Sequence, residues 1–231
     1  MRIVIAGGHG QIALLLSRRL SDLGHQPVGL IRNADHVGDL AAVGAESVVL
    51  DLESSDVGGV AAVLAGADAA VFAAGGGPNS GAARKLTVDR DGAILLADAA
   101  VAAGVRRYVV VSSMGADEYG PAEGLDEEVA AGLRDDPDGL DVFTIYQRAK
   151  GAADAAVRDR DLDWTIVRPG GLVDDEPTGA VAVAASTGRG MIPRADVAEV
   201  IAVLLDQGLA VRRQFEVISG PDPIVGALQQ L

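Results

Sequence analysis

The sequence predicts an α/β chain of the doubly wound kind, with a mostly parallel seven-stranded sheet and helices on both faces. Short β-rich apolar runs alternate with longer stretches of helical periodicity from the first residue to nearly the last, the pattern of repeated β-α-β units. Hydrophobic residues make up 49% of the chain but aromatic ones only 3%, so the interior must be built from Ala, Val, Leu and Ile. Such side chains suit helices laid on a sheet buried on both faces. The length of 231 residues lies within the range of one undivided α/β domain, so residues 1–231 are expected to form a single dinucleotide-binding-sized unit.

Seven strands are expected in order: Arg2 to Ala6, Pro27 to Ile31, Ser47 to Leu50, Ala69 to Ala73, Tyr108 to Ser112, Trp164 to Val167 and Phe215 to Ile218. Each is a short run of apolar, mostly β-branched residues bounded by turn formers. Between them, apolar residues recur at helical spacing over Gln11 to Leu23, Val57 to Leu64, Val88 to Ala103, Val142 to Arg158 and Asp196 to Asp206. Two stretches break the alternation. Residues Gly115 to Asp141 hold ten acidic residues among 27, with Gly120-Pro121 and Asp136-Pro137, and read as a solvated excursion with one helix near Glu127 to Leu133. Residues Gly170 to Arg194 begin with Gly170-Gly171 and include the Val/Ala run Val181 to Ala185; they predict a hairpin or cover. Both segments, near 115–141 and 170–194, are expected to cover a substrate.

Composition excludes several classes of function. A net charge of −14, with Lys85 and Lys150 the only lysines, argues against nucleic acid, which needs a basic face. No apolar run is long enough to span a bilayer, and Met1-Arg2-Ile3-Val4-Ile5 has no secretory pattern. A cytoplasmic protein, monomer or homodimer, without a membrane partner is expected. The absence of cysteine and the scatter of His9, His25 and His36 leave no metal-ligand cluster.

The run Ala6-Gly7-Gly8-His9-Gly10-Gln11-Ile12-Ala13 sets three glycines between the first strand and first helix. Glycine permits the tight turn and close backbone approach to phosphates, while the helix start offers free N–H groups and a positive dipole end. Two registers fit, Gly8-x-Gly10-x-x-Ala13 and Gly7-x-x-Gly10-x-x-Ala13. A tight turn without a ligand would use the same residues; the position after the first strand favours a Rossmann-type nicotinamide dinucleotide site. NAD-selective sites place an acid about 20 residues beyond the glycines. Here Arg32-Asn33 follows the second strand, and a guanidinium suits a 2′-phosphate. NADP(H) is therefore preferred, with NAD(H) possible. Asp51 is placed at the adenine edge, and Ala73, Ala74 and Gly75 at the adenosine side of the groove.

Taken in order along the chain, the glycine loop, Asp51-Leu52, Ala73 to Gly75, Val111-Ser112-Ser113, Tyr146-x-x-x-Lys150, Arg168-Pro169-Gly170 and Arg194-Ala195-Asp196-Val197-Ala198 resemble the atypical short-chain dehydrogenase/reductase superfamily. The resemblance is to its NAD(P)-binding, NmrA-like branch of small reductases and covers nearly the whole chain. It implies that Lys150 binds the nicotinamide ribose and lowers the pKa of Tyr146, which donates a proton to a substrate carbonyl. Spacing is consistent, because residues four apart share a helix face. Family members often end the fifth strand in hydroxyl residues that polarise the carbonyl; Ser113 is the candidate, and Met114 follows it. Ser112, Pro169 and Gly170 would border the cofactor, Asp89 sits where relatives often have Asn, and Arg194 with Asp196 would cap the following helix.

The leading expectation is an NADP(H)-dependent oxidoreductase that reduces a small carbonyl or quinone-like substrate by hydride transfer. The alternative is a non-catalytic NADP(H)-binding redox sensor or regulatory protein of NmrA-like type. A sugar-nucleotide epimerase is disfavoured, because such relatives carry a larger C-terminal substrate domain than the roughly 60 residues after Arg168 can build.

Overall fold

A computed structural model describes residues 1–77 and 79–231. In chain order the elements are β1 (Arg2–Ala6), α1 (Gln11–Asp22), β2 (Gln26–Ile31), α2 (Val37–Ala42), β3 (Glu46–Val49), α3 (Val57–Leu64), β4 (Ala69–Phe72) and α4 (Ala82–Arg84). A π-helical stretch, Lys85–Gly92, joins α4 to α5 (Ala93–Ala103), followed by β5 (Arg107–Val111), α6 (Leu125–Asp135), α7 (Val142–Arg158) and β6 (Asp163–Pro169). The remainder is β7 (Gly171–Val173), β8 (Ala180–Ala184), β9 (Met191–Pro193), α8 (Arg194–Asp206), β10 (Arg213–Ser219), β11 (Asp222–Pro223) and α9 (Ile224–Leu228).

The main sheet has the order β11-β8-β10-β6-β5-β4-β1-β2-β3. The seven strands expected from sequence are the run from β3 to β10, and each pairs with its neighbour in parallel. Two strands extend the count to nine, because β8 pairs antiparallel with β10 and β11 antiparallel with β8. The hairpin expected within 170–194 does not form. Instead β7 and β9 make a small parallel pair of their own, while β8 takes its partner from across α8, where Val181 and Val217 are fully buried.

Alternation along β1 shows why helices are needed on both faces. Ile3 and Ile5 join one core with Leu16 and Leu20 of α1 and Val197, Ile201 and Leu204 of α8. Val4 and Ala6 point into the other, with Leu64 of α3, Leu96 of α5 and Val157 of α7. A strand with apolar residues on both sides exposes neither to water only when each face is covered. Among the described residues no helix is long and apolar enough to cross a membrane, and no group of His, Asp or Glu is gathered to hold a metal ion.

Candidate functional site

The turn from β1 into α1 is held by its glycines. Gly7 has φ of +78°, and a Cβ there would lie 2.5 Å from the Cα of Ala74, so only glycine allows both the bend and the approach of the β4 end. Gly8 N donates to Leu30 O at 2.9 Å and Gly10 N to Gly7 O at 2.8 Å. Gly10 is the N-cap of α1 and gives it no side-chain cap, leaving the helix start with backbone N–H groups and dipole directed outward. That donor set suits a pyrophosphate.

A groove runs from this turn across the ends of β1, β2, β3 and β4. Of the residues expected from sequence, Gly7, His9, Gly10, Arg32, Asp51, Leu52, Ala73, Ala74 and Gly75 line it. Several others face elsewhere. Gly8 packs on β2 at Gly29, Gln11 is exposed, Ile12 packs against the core, and Asn33 Oδ1 accepts from Asp35 N. Ser112 is buried, and its hydroxyl donates to Asp154 at 2.7 Å. Pro169 and Gly170 line a second cavity.

Sequence reasoning missed Glu53 and Arg84 on the groove wall. Glu53 Oε2 lies 3.0 Å from Arg84 Nη1 and 3.9 Å from Arg32 Nη1, so one carboxylate faces two guanidiniums. The rings of His9 and His36 stack beside them with centroids 3.6 Å apart, and His9 Nε2 is 2.8 Å from Asp39 Oδ2.

On α7, Asp141 accepts from the amides of Phe143 and Thr144 and so sets the helix start one turn ahead of Tyr146. Lys150 Nζ is buried, donates to Val111 O at 3.1 Å and lies 3.4 Å from Asp89 Oδ1. The other oxygen of Asp89 accepts from Gly76 N at 3.0 Å, which links the lysine to the wall of the groove. Lys85, unforeseen, also approaches this phenol: its Nζ is 5.3 Å from the Tyr146 ring centroid, against 5.9 Å for Lys150, and donates to Gly77 O at 2.6 Å. The chain's only two lysines thus converge on one tyrosine. Burial pushes Lys85 below the usual lysine range. Burial acts on Lys150 in the same sense, but Tyr146, Asp89 and Asp154 outweigh it and raise the group.

Behind this cluster Arg168 bridges two carboxylates. Its Nε and Nη2 donate to the fully buried Asp154 at 2.9 and 2.7 Å, and Nη1 and Nη2 make a two-point contact with Asp117 at 2.7 and 2.8 Å. Burial pushes the Asp154 carboxyl up, whereas the hydrogen bonds from Arg168 hold Asp117 below the usual carboxylate range. Arg168 therefore ties β6 to α7 and to the turn after β5.

Ser113 and Met114 line the second cavity with Tyr119, Phe143, Gln147 and Met191. The expected capping of α8 by Arg194 and Asp196 is not what the structure contains. Pro193 is the N-cap and supplies no side-chain bond; buried Asp196 accepts from Thr178 N, Thr178 Oγ1 and Gly179 N, while Arg194 pairs with Asp174 at 2.7 Å. Both residues fasten the 174–179 loop, since a side chain inside the first turn can reach back to a neighbouring segment.

Comparison with known proteins agrees with this architecture. The family model described as NAD(P)H-binding matches residues 7–208. The chain is 34% identical, over all of both sequences, to a Bacillus subtilis protein called "Uncharacterized sugar epimerase YhfK". Among solved structures, "Putative NAD-dependent epimerase/dehydratase from Bacillus halodurans" is similar with a TM-score of 0.83 at 35% identity, covering all of both chains. The oxidoreductase ylbE from Lactococcus lactis gives a TM-score of 0.80 at 26% identity, over 100% of this chain and 96% of that one. A glycine turn, an adjoining groove and these full-length likenesses place the chain in the NAD(P)H-binding family, within the atypical short-chain dehydrogenase/reductase superfamily.

Proposed function

We propose that the protein is an NADP(H)-dependent oxidoreductase of the cytoplasm that reduces a small carbonyl or quinone-like substrate, with Tyr146 as proton donor. The observation that carries this reading is the approach of both Lys85 and Lys150 to the Tyr146 ring, with Asp89 joining Lys150 to the Gly76 amide at the groove. A bound dinucleotide would supply the hydride. Tyr146 Oη gives its proton to the carbonyl oxygen, so that C=O becomes CH–OH. Lys150 also holds the nicotinamide ribose, Ser113 orients the carbonyl, and Gly7, Gly10 and the α1 start hold the pyrophosphate. Arg32 and Arg84 support the preference for NADP(H), because two guanidiniums at the adenosine end match a phosphate dianion in charge and shape.

The test is NADPH oxidation over a panel of ketones, aldehydes, quinones and nucleotide sugars. Tyr146→Phe is expected to lower kcat/KM by about 10²- to 10⁴-fold with NADPH affinity retained. Absence of turnover with every acceptor would remove the proposal. Arg32→Ala is expected to weaken NADPH binding by on the order of tenfold or more, as for a lost hydrogen bond to a charged group, and to leave NADH binding nearly unchanged by calorimetry.

A second reading, an NADP(H)-binding sensor, is favoured by one observation: the Ser112 hydroxyl is given to Asp154, so the end of β5 offers Ser113 followed by Met114 instead of a run of hydroxyls. It predicts tight nucleotide binding without turnover. The epimerase name of the Bacillus subtilis relative is addressed by the nucleotide sugars of the panel, and efficient epimerisation there would displace the carbonyl reading.

A further inference from the structure

The stacked His9 and His36 both line the groove, together with Arg32, Asp51, Glu53 and Arg84. They arrive from different elements, His9 from the turn between β1 and α1 and His36 from the connection between β2 and α2 that begins at Arg32. Both residues are partly exposed, and their ring planes lie within 12° of parallel. His9 Nε2 is 2.8 Å from Asp39 Oδ2. An ionised carboxylate only accepts, so Nε2 carries the hydrogen, and Nδ1 is the His9 nitrogen left to take up a proton.

Two imidazoles 3.6 Å apart do not readily become cations together, because like charges at that distance repel. The pair therefore titrates as a unit that holds one proton. The charged groups around it are Arg32 and Asp35 on the β2-α2 connection, Asp39 on α2, Asp51 and Glu53 beyond β3, and Arg84 on α4. Carboxylates outnumber guanidiniums there by four to two, and Glu53 already faces both guanidiniums. The 2′-phosphate of NADP(H) would bring up to two further negative charges into this setting, whereas NAD(H) has an uncharged hydroxyl in its place. Among the described residues lining the groove, only the two imidazoles become cations near neutral pH.

We infer that NADP(H) binding draws a proton onto the His9–His36 pair, so that selection of NADP(H) over NAD(H) at this groove strengthens as pH falls through neutrality. This deepens the NADP(H) reading given above and rests on it for the cofactor. The sign follows from linkage. A phosphate beside the pair favours its charged form, and the charged pair favours the phosphate by the same factor.

The chain has three histidines, and the third, His25, is 3.1 Å from Asp206 at the end of α8 and outside the groove lining, so it serves as an internal control. The ring Cε1–H resonances are followed by NMR over about pH 5.5 to 8.5 in ligand-free protein and in protein saturated with NADP⁺ or NAD⁺. His9 and His36 are expected to titrate at a higher pH with NADP⁺ than with NAD⁺, and His25 alike with both. Calorimetry at about pH 7.5, in buffers of different ionisation enthalpy, counts protons; a phosphate monoester, with its second pKa near 6, is almost fully ionised there and supplies few. Binding of NADP⁺ should take up about half a proton more than binding of NAD⁺. The ratio of the two affinities should fall about 5- to 10-fold from about pH 6.5 to 8.5. With His9→Asn and His36→Asn combined, the extra uptake and the pH dependence of the ratio should both disappear. A constant ratio in the wild type, or His9 and His36 resonances that titrate alike with both nucleotides, overturns the inference whether or not the double variant folds. Extra uptake that survives in the double variant also overturns it. Tighter binding of NADP⁺ than of NAD⁺ without an extra proton removes this inference and keeps the NADP(H) preference, whereas equal binding of the two at every pH, or binding of neither, removes both.

Discussion

Arg168 stands between two carboxylates whose surroundings give them opposite responses to pH. Asp117, held low by hydrogen bonds from Arg168, is charged in the folded state at pH values where the unfolded carboxyl, near 3.9, begins to protonate. Its contribution to stability is present above that value and is lost as pH falls through the folded one. Asp154, raised by burial, acts in the other sense, its neutral form being favoured by the fold. Asp117 is more than half exposed, at 56%, so its contribution is modest, about 1 kcal/mol or less. In urea unfolding at a series of pH values, Asp117→Asn should be less stable than wild type at pH 7. The gap should close below about pH 4; a gap that stayed constant would mean that Arg168 does not hold that carboxylate in solution.

Elements meet closely at the β1-α1 turn. Gly7→Ala would combine a left-handed backbone, unfavourable for a residue with Cβ by about 1–2 kcal/mol, with overpacking against Ala74 of about 1–3 kcal/mol. A lowered urea midpoint together with a loss of NADPH affinity is expected; an unchanged midpoint would show that the β4 end yields easily. The turn was readable in sequence because a phosphate-sized bend needs glycine, and the parallel strands were readable because burial on both faces leaves unbroken apolar runs. Other elements left weaker marks. β7, β9 and β11 have three residues or fewer, too short for a pattern. The helix ahead of Val88 leaves no 3.6-residue repeat in the sequence, because the segment Lys85–Gly92 is π-helical. Around the candidate site, Tyr146 and Lys150 were legible as a spacing, whereas Glu53 and Arg84 reach the groove wall, and Lys85 the Tyr146 ring, only through space. Asp154 and Asp117 illustrate the same limit: 14 and 51 residues away from Arg168, they leave no local trace of the bridge.

On the scale of the whole molecule, the sheet is assembled out of chain order. β10, close to the C-terminal end, lies inside the sheet, hydrogen-bonded to β6 on one side and to β8 on the other. During synthesis, residues 1–212 leave the ribosome while both of those strands present open backbone donors and acceptors. Residues 213–219 act as the keystone that closes them. Until that segment arrives, the nascent protein carries two adhesive seams able to pair with a neighbouring chain, so the interval before β10 joins the sheet is the one in which a chaperone matters most to it.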